Sequence, residues 1–323
     1  SDGAANSQPS NIWELAADPK SGAVSGVPRQ LTRLDDATAS DVSATRDGNR
    51  LVFLKQRRQD DVYLGDLDKD GIRIDNTRRL TLDDRDDEPS GWSGDSRTVF
   101  FHSYRQGTYD VFKQGIGDMT AEVVVEGPGD QGAAIVTPDG STLLYQSQVT
   151  GDEPGVVRLM RVPVTGGPPE TVAKLKDVPF SLYRCPTAPR AACVVAQEEE
   201  GTTHFYTLDP LKGKGATIGA VASKIWEWSL SPDASRIAYV VVGGGEQGHE
   251  TGIRIMNIRD GSTEELRPEG LGLAKEPAWS ADGKTIFVAA VTPSGWRLLN
   301  VNLDGRISVL RQTDGPRMIA DLV

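Results

Sequence analysis

SADGKTIFVA, residues 280–289, decides the fold because the chain writes the same phrase four more times: TRDGNRLVFL at 45–54, SGDSRTVFFH at 93–102, TPDGSTLLYQ at 137–146 and SPDASRIAYV at 231–240. The Asp of each phrase is Asp47, Asp95, Asp139, Asp233 or Asp282, giving steps of 48, 44, 94 and 49 residues, where 94 is two steps with one degenerate copy between. Self-similarity at a period of about 47 residues marks a supersecondary unit that buries its apolar faces only by stacking on its neighbours.

Each unit reads as four short strands. Ser/Thr-x-Asp-Gly is turn chemistry, since Asp bonds its own backbone and Gly accepts positive φ, and it joins two apolar stretches, strands a and b. Strand c follows as DVYLGDL (61–67), YDVFKQGI (109–116), VVRLMRVPV (156–164), HFYTLDP (204–210), GIRIMNI (252–258) and GWRLLNV (295–301). A second turn leads to a short strand d, as in RRLTL (78–82) and AEVVV (121–125). Four-stranded antiparallel blades at this period predict an all-β β-propeller. NIWELAA (11–17) and RQLTR (29–33) read as one more c/d pair, so c/d pairs number seven and a/b pairs six. The expectation is seven blades, the last shared by both termini and incomplete, with GPRMIADLV (315–323) as an added inner strand. Six blades is the alternative.

The chain has 323 residues with 35 Gly and 19 Pro, and no apolar run approaches the roughly 20 residues of a membrane-spanning helix. Residues 1–10 are small and polar and read as a flexible tail; the repeat then continues without a linker, so 11–323 is expected to be one propeller domain. The net charge of −11, from 46 acidic and 35 basic residues, argues against nucleic acid as a partner.

The two cysteines, Cys185 and Cys193, sit in the degenerate fourth copy, where a Pro-containing loop replaces the Asp-Gly turn. A disulfide there would close a hairpin lacking its usual turn chemistry and would favour an extracytoplasmic location; reduced thiols in a cytosolic protein are the alternative. Asp66, Asp68 and Asp70 followed by Gly71 match the opening of a calcium loop, but position 12 is Thr77 rather than Glu, so an ordinary hairpin turn is the stronger reading and no cofactor is expected. The three histidines show no zinc spacing, and there is no Gly-x-Ser-x-Gly elbow. No catalytic residues are expected.

The b–c loops vary in charge and length while the strands keep their period, which is where a propeller places recognition. The candidate recognition face is Arg57, Arg58, Tyr104, Arg105, Glu198, Glu199 and His249, joined on the same face by Asp83, Asp84, Asp86 and Asp87 of the acidic run DDRDDE. Charge reversal of those four aspartates is expected to weaken partner binding and leave the fold intact. The partner class is a protein, a peptide or a small envelope ligand.

EPAWSADGKTIFVAA (276–290), with the RQLT and RRLT strands at 29–32 and 78–81, resembles the TolB-type, WD-like propeller repeat of bacterial proteins over nearly the whole chain. More narrowly, SNIWEL, DVYLGDL, RRLTLDDRDDEPSGWSGDSR and GWRLLNVNLDGR resemble the C-terminal extracytoplasmic propellers of bacterial, acidobacterial-type membrane Ser/Thr kinases and winged-helix regulators. The resemblance implies a non-enzymatic sensor or scaffold module in the envelope. A central-channel enzyme of the metal-assisted hydrolase or lactonase type, or a gating propeller of a peptidase, is the alternative.

Overall fold

The computed structural model describes residues 10–35, 37–57, 59–149, 151–176, 183–189, 191–225, 227–242 and 251–314. Among the described residues every regular element is a strand, 26 in all, and none is helical. Among the described residues no helix is long and apolar enough to cross a membrane. The chain divides into two compact units, residues 1–60 and 61–323. In the first, β1 (Trp13–Ala17) pairs with β2 (Val24–Gln30) and β3 (Thr38–Ala44) pairs with β4 (Leu51–Gln56), each antiparallel.

The second unit begins with the hairpin β5 (Tyr63–Leu67)–β6 (Ile74–Arg79) and continues as five four-stranded antiparallel blades in chain order. Their strands are β7 (Asp87–Trp92), β8 (Thr98–Ser103), β9 (Asp110–Gly115) and β10 (Glu122–Val125); β11 (Asp130–Val136), β12 (Thr142–Gln148), β13 (Val156–Pro163) and β14 (Glu170–Lys176); β15 (Tyr183–Arg184), β16 (Cys193–Glu199), β17 (Thr202–Asp209) and β18 (Gly213–Val221). The last two blades are β19 (Trp228–Leu230), β20 (Arg236–Val242), β21 (Thr251–Asn257) and β22 (Thr263–Leu266), then β23 (Leu273–Trp279), β24 (Thr285–Thr292), β25 (Gly295–Asn302) and β26 (Ile307–Asp314). The repeat at 45–54 forms the two-stranded sheet β3–β4 of the first unit, and the c and d strands expected at 61–67 and 78–82 form the two-stranded sheet β5–β6 of the second. The strand proposed at 315–323 lies outside the described residues.

The repeated phrase builds the same a–b turn each time. In all five copies the Ser or Thr hydroxyl donates to the Asp Oδ1 at 2.5–2.8 Å, and that oxygen accepts the N–H two residues on at 3.1 Å. The hydroxyl in turn accepts the N–H five residues on at 2.9–3.1 Å, which starts the a–b ladder. The residue after Asp is left-handed throughout: Gly48 (φ 70°), Ser96 (57°), Gly140 (74°), Ala234 (59°) and Gly283 (67°). These bonds to the ionised form, led by the Ser or Thr hydroxyl, hold all five carboxyls below their ordinary range, Asp233 and Asp282 at about 2.

Strand b is apolar on both faces because it lies between two blade interfaces. On β8, Val99 and Phe101 pack back against Val62 and Leu80, while Phe100 packs forward against Ala134, Leu143 and Tyr145. On β12 Leu143 and Tyr145 face back and Leu144 faces forward onto Tyr183, Cys193 and Val195; on β20 Ile237 and Tyr239 face back and Ala238 faces forward. Period-two alternation with both faces buried explains runs such as TVFF and TLLY that carry no polar residue at alternate positions. Trp228, 1% exposed, anchors one such interface against Phe205.

The d strands read as RQLT and RRLT owe that motif to a shared lock. Leu80 N–H donates to Val62 O at 2.7 Å and Thr81 Oγ1 accepts Val62 N–H at 3.1 Å; in the first unit Leu31 and Thr32 do the same for Ile12 at 2.8 and 2.9 Å. In the fourth copy the turn is replaced by covalent chemistry: Cys185 and Cys193 are joined by a disulfide across eight positions, with Cys193 buried in the interface core. At the far end of the unit, Asn300 Nδ2 donates to Gly71 O in the β5–β6 turn at 2.5 Å.

Candidate functional site

The acidic run 83–88 is folded around one cation. The Arg105 guanidinium reaches Asp83 Oδ2 at 2.6 Å and Asp87 Oδ1 at 3.2 Å, donates from Nε to Ser103 Oγ at 2.9 Å, and lies over the rings of Phe101 and Phe112 at 5.3 and 4.8 Å. Arg79 adds an ion pair to Asp61 at 2.6 Å and donates to the carbonyl of Asp83. Asp87 is 1% exposed, and burial raises its carboxyl against the lowering pull of Ser103 and Arg105. Asp83, Asp87 and Arg105, separate candidates in sequence, are therefore one network that pins the β8–β9 loop to the segment leading into β7. Reversing Asp87 would bury two like charges together, so the expectation that all four aspartates can be reversed with the fold intact is corrected. Asp86 contributes its carbonyl to Tyr104 N–H at 3.1 Å, and the side chain of Asp84 is exposed.

Above this anchor the same loop presents aromatic groups. The Tyr104 and Tyr109 rings meet edge-on at 5.2 Å, and Tyr109 meets His102 at 5.4 Å. Tyr109 N–H is held by Asp130 Oδ1 at 3.0 Å and its carbonyl accepts Gln131 N–H at 2.6 Å, which fixes the loop to the next blade. Between the strands, Glu88 stands opposite His102 in the β7–β8 register, and β7 bulges between Pro89 and Gly91. His102 Nε2 lies 3.2 Å from Glu88 Oε2, and His102 Nδ1 lies 3.2 Å from Ser90 Oγ. The imidazole is packed under the next blade at Gly132, where an added Cβ would come within 3.4 Å of the ring.

The other candidates fall elsewhere. Glu198 pairs with Lys224 at 2.7 Å and Glu199 accepts the Tyr206 hydroxyl at 3.2 Å, both on or beside the β15–β18 blade. Arg57 is an exposed residue of the first unit, while Arg58 and His249 lie outside the described residues. In the suggested calcium loop, Asp68 Oδ1 accepts the N–H groups of Ile72 and Arg73 at 2.8 and 3.2 Å and Asp66 accepts Asn76 Nδ2 at 2.9 Å. Among the described residues no three His, Cys, Asp or Glu side chains are grouped to hold a metal, Asp70 included. Glu88, Ser90 and His102 were missed in sequence because histidines were weighed only for zinc spacing. The signal that reaches them is register, since residues on either side of an Asp turn face one another across the hairpin.

Five four-stranded antiparallel blades packed in chain order define a β-propeller. No family model matches the chain, and no curated protein does. Among solved structures it is similar to TolB from Acinetobacter baumannii, with a TM-score of 0.63 and 19% identity over 78% of this chain and 60% of that one. It is also similar to an Agrobacterium tumefaciens protein assigned as TolB, with a TM-score of 0.60 and 17% identity over 74% of this chain and 86% of that one. A third likeness is to a chain of the nidogen/laminin complex, with a TM-score of 0.58 and 10% identity over 78% and 90%. At these identities the likeness is one of fold, a TolB-like propeller, and the chain spans about 60% of the length of the first of these proteins.

Proposed function

We propose that this chain is a recognition propeller, binding a protein, a peptide or a small envelope ligand on its b–c rim without turning it over. The observation that carries the reading is the β8–β9 loop: Arg105, Asp83 and Asp87 lock its base while Tyr104 and Tyr109 stand on its rim. Rigid aromatic groups on a fixed support supply contact area at little entropic cost. TolB-like neighbours and a neighbour from a protein–protein complex support a binding role. The Cys185–Cys193 disulfide supports an oxidising, extracytoplasmic compartment. The finer proposal is a bacterial envelope sensor or scaffold ectodomain of the kinase- or regulator-linked type; seven c/d-type strand pairs in the sequence support seven blades.

The test is retention of periplasmic proteins, cell-wall fragments and synthetic peptides on the immobilised chain, compared with Tyr104→Ala and Tyr109→Ala. A ligand held by the wild type and lost from both variants supports the reading; the same ligands held equally by all three would move recognition off this rim. A second reading, chemistry at the same place, is favoured by the contact of His102 with Ser90.

A further inference from the structure

Three side chains on the β7–β8 hairpin, an acid, an imidazole and a hydroxyl, stand in contact in that order. The Glu88 carboxylate is an acceptor only and lies 3.2 Å from His102 Nε2, which favours the tautomer of a neutral His102 that carries its proton there. In that tautomer Nδ1 is the lone-pair nitrogen, and Ser90 Oγ, 3.2 Å away, is placed to donate to it. Which ring nitrogen serves as base is decided by which one lacks the proton, and here the carboxylate decides it. The side chains of His102 and Glu88 are 19% and 15% exposed, so the pair is shielded from bulk water without being sealed off. Ser90 is half-buried at the β7 bulge, where local irregularity aims a side chain out of the ladder. Gly132 of the next blade lies against the ring, at ordinary van der Waals range for an added Cβ.

We propose that Ser90 is a nucleophile activated by His102 as general base, with Glu88 as the positioning residue, and that it accepts the acyl group of small activated esters. The Tyr104–Tyr109 pair beside it favours an aromatic or apolar acyl group. In the step, Ser90 Oγ bonds to the ester carbonyl carbon while its proton moves to His102 Nδ1; the bond to the leaving alkoxide breaks, and that alkoxide takes the proton from Nδ1. Water reverses the sequence, leaving free acid and Ser90–OH. This activity shares the Tyr104–Tyr109 pair with rim recognition but rests on Ser90 and His102, so its failure leaves the binding reading standing.

The probe is a fluorophosphonate, whose phosphorus bonds to Ser90 Oγ as fluoride leaves and the serine proton passes through His102 to solvent. The expected result is one phosphonyl group on the peptide carrying Ser90, formed at a rate that rises with pH as the imidazole loses its proton. Ser90→Ala abolishes the adduct, His102→Gln slows it by about 100-fold or more, and Glu88→Gln slows it and shifts the pH profile. All three variants are compared with the wild type by tryptophan fluorescence and urea midpoint. Absence of the adduct from folded wild type, its appearance on Tyr104, Tyr109 or another hydroxyl instead, or an undiminished rate in folded His102→Gln overturns the proposal.

Discussion

Ala234 sits in the left-handed region at φ 59°, at a turn position where three of the other four copies carry Gly. A side chain with Cβ pays roughly 1–2 kcal/mol there, while Gly loses about 0.5–1 kcal/mol more than Ala in backbone entropy on folding. The conformational gain of Ala234→Gly is therefore about 0.5–1 kcal/mol, offset in part because the Ala234 methyl packs on the core cluster around Trp228, so stability should rise by up to that amount. Gly140→Ala should lower it by about the same amount, because the geometry is matched at φ 74° and an added Cβ meets nothing within 4 Å, leaving conformation as the only cost. The assay is urea unfolding followed by tryptophan fluorescence, with m unchanged across the set so that midpoint shifts report stability. The double variant should return close to wild type, since the two turns are remote and share no partner. Loss of stability in Ala234→Gly, or no loss in Gly140→Ala, would refute the claim that the repeated turn carries this strain.

Replacing Arg105 by Met leaves Asp87 buried without its cation and should cost about 3–5 kcal/mol; the Arg105→Met, Asp87→Asn pair should cost less than Arg105→Met alone, as read from a double-mutant cycle of urea midpoints. Reducing Cys185–Cys193, or replacing both cysteines with Ser, should lower stability by about 2–3 kcal/mol for a loop of this length, and alkylation before reduction should label neither thiol. The five turn aspartates have folded pKa values below the unfolded one, so their stabilisation is complete above about pH 4. It is lost as pH falls through the folded values, about 2 for Asp233 and Asp282. Asp87 and Asp110, raised by burial, act with the opposite sign: protonation through their raised values relieves a cost, and their contribution improves as pH falls toward the unfolded pKa. Urea midpoints from pH 7 to pH 2 should show the low-pH loss shrink in Asp233→Asn and the relief shrink in Asp87→Asn, with the part due to Asp110 remaining.

The repeat was legible because each copy carries its own local chemistry: Asp139 needs only Thr137, Ser141 and Gly140 to make its turn, and the apolar run of β12 follows directly. The fourth copy was legible through its cysteines, although β15 is only two residues long. The site was less legible because it depends on register and burial. Glu88 and His102 are neighbours only once β7 and β8 are paired, and Ser90 reaches the ring from the bulge at Pro89–Gly91. Asp87 and Arg105 look like rim charges in the sequence; Asp87 is buried and Arg105 lies over the rings of Phe101 and Phe112, neither of which the local pattern of charges encodes.

Among the described residues the apolar interior of the second unit is partitioned into five clusters, each joining one sheet to the next. A lesion in one cluster is therefore felt first by two sheets. Hydrogen exchange should report a ladder of openings along the chain, and a truncation at Trp228 should loosen β16–β17 and β20–β21 before Phe101 senses it. The same partition makes the blade a unit of inheritance: one can be duplicated, lost or replaced by a cysteine-stapled variant, with only the two seams beside it left to be refitted.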